Sequence, residues 1–386
     1  MKVCHITSGH SPFDVRIFYK ECRSLARAGY DVTVVAPAAI KKEEVVEGIR
    51  VLGISRPTRR RQRSRVWREI IQAVRHLDPD IVHFHDPDLL LIAPFFRPRK
   101  LIYDCHERNA AAMLTKPWLP RPLRRPLSRL VAVLEPALAR LTTAIIVVDD
   151  SQLETFRDTG RPLVLVRNFP LVEGIPIREA NPQDKAVVHV GAHARTRGCD
   201  VMIEAFSWVL KTVSEARLWL VGPFNHRPYE QKIRDRIAQL GIGDAVTLVG
   251  EVAYPEALRW VARARVGLVA IQPVVQYQGG LPTKMLEYMA AGIPVVAGDI
   301  PITRRILGAV ECGCLVEPSS PRDYADAIVY LLTHENQAVK LGARGREAVL
   351  RAYQWNTEQE KLLRLYCAVQ DGQELKPSRE YSIARE

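Results

Sequence analysis

The run VCHITSGHSPFDVRIFYKECRSLARAGYDVTVVAP (residues 3–37) decides the fold class. VCHITS and DVTVVAP, at its two ends, are short apolar stretches. DVRIFYKECRSLARAGY (14–30), between them, carries its apolar residues at helical spacing. Strand, helix, strand in that order predicts a right-handed crossover between parallel strands. The runs IVHFH (81–85), LIYDC (101–105), AIIVVD (144–149) and PLVLV (162–166) continue the pattern. They are unbroken apolar blocks, as expected of strands covered on both faces.

After residue 168 the pattern stops and then begins again. NFPLVEGIPIREANPQDK (168–185) is rich in proline and polar residues without a sustained period and reads as a linker. A second series follows: AVVHVGA (186–192), a helix across CDVMIEAFSWVLKTV, RLWLVG (217–222), a helix near 229–240, AVTLVG (245–250), a helix near 254–264 and VGLVAIQP (266–273). Two long helices are predicted at about 321–334 and 336–351. The expected organisation is a first domain over 1–168, a linker over 169–185, a second domain over 186–352, a helix over 353–370 packing back on the first domain, and a polar tail over 371–386. A chain of 386 residues suits two domains of roughly 150 to 200 residues each. Two doubly wound α/β domains of Rossmann type predict a central cleft at the carboxyl ends of both sheets, where such folds hold ligands.

Composition narrows the class further. Hydrophobic content of 47% with 25% charged residues is globular, and no apolar run approaches the roughly 20 residues that span a bilayer. The start, MKVCHITSGHSPFD, is too short and polar in its apolar part for a signal peptide, so a cytoplasmic location is expected. Seven cysteines form no disulfide framework and read as reduced thiols. The net charge of +12 is uneven: residues 1–168 hold 29 Lys and Arg against 18 Asp and Glu. This excess gathers in RPTRRRQRSRVWR (56–68) and KPWLPRPLRRPLSRL (116–130), where Trp67, Trp118, Leu119 and Leu123 interleave with arginine. Such a surface suits anionic lipid headgroups, a phosphorylated acceptor or nucleic acid. A solvated loop and an ordinary amphipathic helix explain it equally well.

The stretch YQGGLPTKMLEYMAAGIPVVAG (277–298) carries the clearest chemistry. Pro282 suits a first helical position, and Gly292 followed by Pro294 ends a helix of about ten residues. The amino end of that helix, with Gly280 and its neighbours allowing close approach, is a place for phosphate, and Lys284 adds a point charge. Glu287, one turn on, can accept paired hydrogen bonds from sugar hydroxyls. Its alternative is an ordinary ion pair with Lys284.

PTKMLEYMAAGIPVVAGD resembles the donor signature of the retaining glycosyltransferases of family 4, which have the GT-B fold. GAHARTRGCDVMIEAF (191–206) resembles that family's second donor motif. HITSGHSPFDVRIFYKECRSLARAGYDVTVVAP, DPDIVHFHDPD and YDCHE resemble its acceptor-domain segments, so the likeness runs over nearly the whole chain. It implies a donor site of Gly9, Gly191, Arg197, Gly280, Thr283, Lys284 and Glu287, with Glu287 on the ribose and Arg197 and Lys284 on the diphosphate. His106 of YDCHE would lie near the transferred sugar, completing a catalytic set with Arg197 and Lys284. Asp14 and Arg16 are candidates for the acceptor side, with a simple helix-entry pair as the alternative.

The implied activity is transfer of a sugar, with retention, from a nucleotide diphosphate sugar to an acceptor of polysaccharide or glycolipid type. A UDP-sugar is expected as co-substrate, with no metal or cofactor and no nucleic-acid partner. A lipid-linked acceptor at the inner face of a membrane is the partner expected. Two departures stand out. Gly279 replaces the family's first glutamate and Ala192 its arginine; His193 and Arg195 lie near enough in sequence to compensate, or are loop surface. A sugar-nucleotide epimerase and a noncatalytic binding protein are the rival readings. His83, His85 and Asp86 alternate as metal ligands can, and Asp86-Pro87-Asp88 spells D-x-D, but no third distant ligand is evident and metal is not expected. GHSPFDVR lacks G-x-G-x-x-G, which argues against a nicotinamide enzyme.

Overall fold

The computed structural model describes residues 1–56, 62–116, 119–178, 185–224, 226–274 and 280–373. Arg59, Arg60, Arg61, Trp118 and Gly279 lie outside the described residues. The chain divides into two compact units, Met1–Asn168 with the segment from Asn356 onward, and Phe169–Trp355.

The first unit holds one sheet of eight strands. They are β1 (Lys2–Ile6), β2 (Asp31–Ala38), β3 (Glu43–Val46), β4 (Ile49–Ser55), β5 (Ile81–Phe84), β6 (Lys100–Cys105), β7 (Ala144–Val147) and β8 (Leu163–Leu165). Their order is β3-β4-β2-β1-β5-β6-β7-β8. All neighbours run parallel except β3 and β4, a hairpin turned at Glu47 and Gly48, both with positive φ. β5 and β7 are buried at every position, which is why the sequence shows blocks instead of alternation there. The sheet order reverses between β1 and β5, so the loops after those strands open at a topological switch point.

The second unit holds six parallel strands: β9 (Ala186–Val190), β10 (Arg217–Val221), β11 (Val246–Gly250), β12 (Val266–Val269), β13 (Val295–Gly298) and β14 (Gly313–Val316). The order β11-β10-β9-β12-β13-β14 is that of the dinucleotide-binding fold, with its switch point between β9 and β12. Apolar clusters fill both faces of this sheet. The structure corrects the linker reading in part. Phe169 and Ile175, 4% and 5% exposed, pack into the second unit's core, because apolar side chains in a proline-rich stretch still gain by burial. The helix start is also corrected: Pro282 is still extended (ψ 98°), and the helix is Thr283–Ala291. Gly292 ends it in the left-handed region, φ 78°.

Candidate active site

In the second unit the loop after β9 and the helix Thr283–Ala291 meet at Gly191. Tyr288 fixes that meeting: the Val190 amide donates to its hydroxyl oxygen at 2.8 Å, and its ring lies over Gly267 of β12. Lys284 sits one turn earlier on the same helix face. A side chain added at Gly191 would place its first carbon 3.2 Å from Lys284 Nζ and 3.5 Å from Arg197 Nη1. Gly191 also has φ 112°, so backbone, ammonium and guanidinium converge there only because it is glycine. Among the described residues no carboxylate forms an ion pair with Arg197. Thr283 is the first residue of the helix, and Gly280 precedes it by three residues.

Two histidines complete the cluster: His193, for which loop surface was the alternative, and His189, which the sequence reading did not single out. His189 Nδ1 lies 3.1 Å from the Leu268 carbonyl oxygen, which leaves Nε2 to accept from Lys284 Nζ at 3.1 Å. Burial, then Lys284 and His193, hold His189 well below the usual histidine pKa. His193 is 2% exposed, so it is not loop surface. Burial first, then Lys284 and Arg197, lower its pKa to about 4. Burial and Arg197 also push the Lys284 ammonium well below its usual value, against the attraction of Glu287. Arg195 is 73% exposed and lies 3.8 Å from Asp200.

Glu287 is 6% exposed, and its Oε1 accepts from the Tyr254 hydroxyl at 2.9 Å. Lys284 turns to His189, so the simple ion pair between Lys284 and Glu287 is not what the helix builds. Tyr254 carries no sequence signal of its own beyond an aromatic at a helix start.

In the first unit the loop after β1 is clamped from below. Asp86 Oδ2 accepts from Thr7 Oγ1 at 2.6 Å and from the Ser8 amide at 2.8 Å. Asp88 accepts from Ser8 Oγ at 2.8 Å and from Trp67 Nε1 at 2.8 Å, and pairs with Arg63 at 2.8 Å. The D-x-D pair therefore braces a loop. Gly9 lies against it, where an added side-chain carbon would come within 2.9 Å of Asp86 Oδ1. His10, next in the loop, meets Asp14 Oδ2 at 3.2 Å, and its ring lies 5.0 Å from the His106 ring, tilted by 56°. Burial alone would lower the His10 pKa, but the hydrogen bond and charge of Asp14, with Asp86 and Glu107, raise it to about 9.

Gly9, Asp14 and His106 are thus brought together, and His10 joins them. Asp14 also accepts from the Arg16 and Ile17 amides at 2.9 and 3.1 Å and so caps the helix that follows. Arg16 is a correction. It is 3% exposed, its guanidinium donates to Asp104 at 2.8 and 3.1 Å and to the Val166 carbonyl at 3.0 Å, and it lies 2.9 Å from Glu21. A buried guanidinium held on three sides by oxygen serves the core and has no surface left for an acceptor. His106 Nε2 donates to Asp104 Oδ2 at 3.0 Å.

The sequence pattern described as "Glycosyltransferase Family 4" matches residues 15–169, and that described as "Glycosyl transferases group 1" matches residues 184–334. The chain belongs to glycosyltransferase family 4. Within the family it is similar to a Mycobacterium tuberculosis GDP-mannose-dependent alpha-(1-6)-phosphatidylinositol monomannoside mannosyltransferase, 32% identical over 170 residues, or 43% of each chain. This family 4 chain thus spans less than half the length of that relative. A Mycobacterium leprae phosphatidyl-myo-inositol mannosyltransferase is 26% identical over 78% of this chain and 76% of its own. Sucrose-phosphate synthase from Thermosynechococcus elongatus matches 96% of this chain and 100% of its own, at TM-score 0.77 and 17% identity. That likeness shows the fold of this family 4 member, GT-B, with two Rossmann-like units.

Proposed function

We propose that the protein transfers a sugar, with retention at the anomeric carbon, from a nucleotide diphosphate sugar to a lipid-linked acceptor at the inner face of a membrane. The observation that carries this reading is the convergence of Arg197 and Lys284 on Gly191. Cleavage of the bond to the anomeric carbon leaves negative charge on the departing diphosphate. Preorganised cations aimed at that charge are the largest catalytic contribution a protein can offer here. Arg197 can bind two phosphate oxygens at once, and Lys284, held by His189, neutralises a third. Fixed cations of this kind make a metal unnecessary for holding the diphosphate. Glu287, oriented by Tyr254, is suited to a pair of ribose hydroxyls. On the first unit, His106, His10 and Asp14 offer a rim for the acceptor and the transferred sugar.

A UDP-sugar is the donor proposed, and GDP-mannose is the donor in the name of the Mycobacterium tuberculosis relative. Both mycobacterial names carry a phosphatidylinositol-type acceptor, which supports an acceptor with an anionic lipid headgroup. The helix Arg121–Ala139 favours the same partner: Leu130 and Val133, 50% and 68% exposed, stand beside exposed Arg125 and Arg129. Among the described residues no helix is long and apolar enough to cross a membrane.

The test is incubation of the purified protein with labelled UDP-sugars and GDP-mannose, with and without phosphatidylinositol-type lipid, followed by NMR of the product linkage. Acceptor-dependent product with the donor's anomeric configuration is expected. Arg197→Ala and Lys284→Ala should each lower kcat by roughly 10²-fold or more. Acceptor-free rearrangement would favour an epimerase, and binding without turnover in every combination would sink the enzymatic reading.

A further inference from the structure

We propose that His5, Glu21, His83 and His85 form a buried structural site for one divalent zinc-class metal ion in the first unit, beneath the loop that carries Gly9 and His10. His5 of β1 and His83 of β5 are register partners, His85 follows β5, and Glu21 comes from the helix behind β1. Glu21 Oε2 lies 3.9 Å from His5 Nδ1, 3.9 Å from His83 Nε2 and 4.0 Å from His85 Nε2. All four side chains are 0% exposed.

Hydrogen bonding accounts for the outer nitrogens of the three rings, and the inner nitrogens of His5 and His85 meet each other, but that of His83 has no partner. His83 Nδ1 is 2.7 Å and His5 Nε2 3.3 Å from the Tyr366 hydroxyl, while His85 Nδ1 is 3.5 Å from Asp104 Oδ2 and 3.0 Å from His106 Nε2. With ring protons directed outward to those oxygens, three imidazole lone pairs face inward. His5 Nδ1 and His85 Nε2 lie 2.9 Å apart, a hydrogen bond when one of them carries the ring proton, and a metal ion bound by both would replace that bond. His83 Nε2 and Glu21 Oε2 form no hydrogen bond, although both are fully enclosed; Arg16 Nε lies 2.9 Å from the other oxygen, Oε1. Enclosed polar atoms without partners are costly, and in native proteins they call for an explanation.

A metal ion supplies one. Three neutral imidazoles and a carboxylate are a tetrahedral zinc set, and outer-shell oxygens on the far ring nitrogens are what such histidines require. Zinc–nitrogen bonds of about 2.0–2.1 Å put ligand atoms roughly 3.4 Å apart, so Glu21 Oε2, now 3.9 to 4.0 Å from the three rings, would draw in by about half an ångström and the His5–His85 pair, at 2.9 Å, would open by about as much. His5 stands two residues before Thr7, and His85 directly before Asp86. The ion would therefore anchor both sides of the clamped loop that presents Gly9 and His10.

With no exposed ligand atom, the metal has to enter during folding. The experiment is elemental analysis of the full chain, made without a polyhistidine tag in zinc-supplemented medium, and of His83→Gln and Glu21→Gln. About one zinc per wild-type chain is expected, with loss in both variants. Refolding from denaturant should give a higher yield with zinc than with EDTA. Cobalt in place of zinc should show the visible absorption of a tetrahedral site. Less than a tenth of an equivalent in the wild type, equal refolding with EDTA, or retention of metal in both variants would each overturn the proposal. If the variants fail to fold, wild-type metal content, zinc-dependent refolding and the cobalt spectrum still decide it.

Discussion

Lys284 is a charged nitrogen placed where burial and a second cation both oppose its proton. Its depressed pKa means that free protein gives up that proton at lower pH than an ordinary lysine, with its usual 10.5. A bound diphosphate favours the charged form, so donor binding should take up a proton. The sign follows: donor affinity is greatest at low pH and falls as pH rises through the depressed value. Titration calorimetry with UDP from about pH 6 to pH 10 should show this fall, and Lys284→Met should bind more weakly with no such slope. An affinity that stays flat to pH 10 in the wild type would discard the assignment. Tyr254→Phe removes one hydrogen bond to the Glu287 carboxylate, a contact worth about 1.5–3 kcal/mol. A rise of roughly tenfold in donor KM with kcat nearly unchanged is expected, measured by steady-state kinetics. An unchanged KM would mean that Glu287 is held, or binds, in some other way. Lys284 and Glu287 were proposed from local residue types and Gly191 and Arg197 from the family resemblance; the structure brings Gly191, Arg197 and Lys284 together and sets Glu287 against Tyr254. His189 and Tyr254 were not legible in the sequence: their partners lie 95 and 33 residues away, a distance no periodicity reveals. Arg16 misled for the same reason, since its carboxylate partner, Asp104, is 88 residues on.

The elements that the sequence displayed well are those with long, uniform faces. The strands β5, β6 and β7 and the helices Cys199–Thr212 and Pro321–Thr333 are examples. The hairpin β3–β4, the strand β14 and the helix Pro301–Val310 went unseen. β3 has only four residues, two of them glutamates, and the buried positions of Pro301–Val310 are Ile302, Thr303, Ile306 and Leu307, too few to show a period. Cys199–Thr212 depends on Gly198, whose φ of 71° and closeness to the Ala270 carbonyl leave no room for a side chain. On the first unit, the helix Arg121–Ala139 buries only Glu135 and Ala139 and turns apolar and basic residues outward. If that arc lies on an anionic membrane, each arginine near the surface contributes about 1 kcal/mol. Arg125→Ser with Arg129→Ser should then weaken sedimentation with phosphatidylglycerol vesicles by roughly 30-fold, and Val133→Glu should weaken it in high salt as well. Equal sedimentation of wild type and variants would remove the helix from the membrane. The arginines at 59, 60 and 61 belong to the same expectation but lie outside the described residues.

For the molecule as a whole, two sheets from one chain were legible because the sequence stops and restarts its strand and helix pattern. The place of the linker was harder to read. Phe169 and Ile175 are spaced like loop residues and become core only when the second unit surrounds them. The last helix, Trp355–Asp371, shows how a distant segment can complete a unit that precedes it by some two hundred residues. Leu362, Leu365 and Tyr366 are fully buried and Val369 nearly so. Glu358 accepts from the Arg167 amide at 2.8 Å, Gln359 from Ser24 at 2.9 Å, and the Val369 and Gln370 carbonyls from Lys100 at 2.6 and 2.8 Å. Each large apolar side chain contributes about 1.5–3 kcal/mol on burial, so four of them approach the entire net stability of an ordinary domain, about 5–15 kcal/mol. A chain ended after Asn356 should therefore lose the folded first unit, seen as low soluble yield and rapid proteolysis within residues 1–168. Tyr366→Phe, which keeps the ring and loses only its contacts to His83 and His5, should fold and lower the melting midpoint by several degrees. If the shortened chain melted at the wild-type temperature, the helix would be an appendage, and the first unit would have to owe its stability to the strands and helices before Asn168 alone.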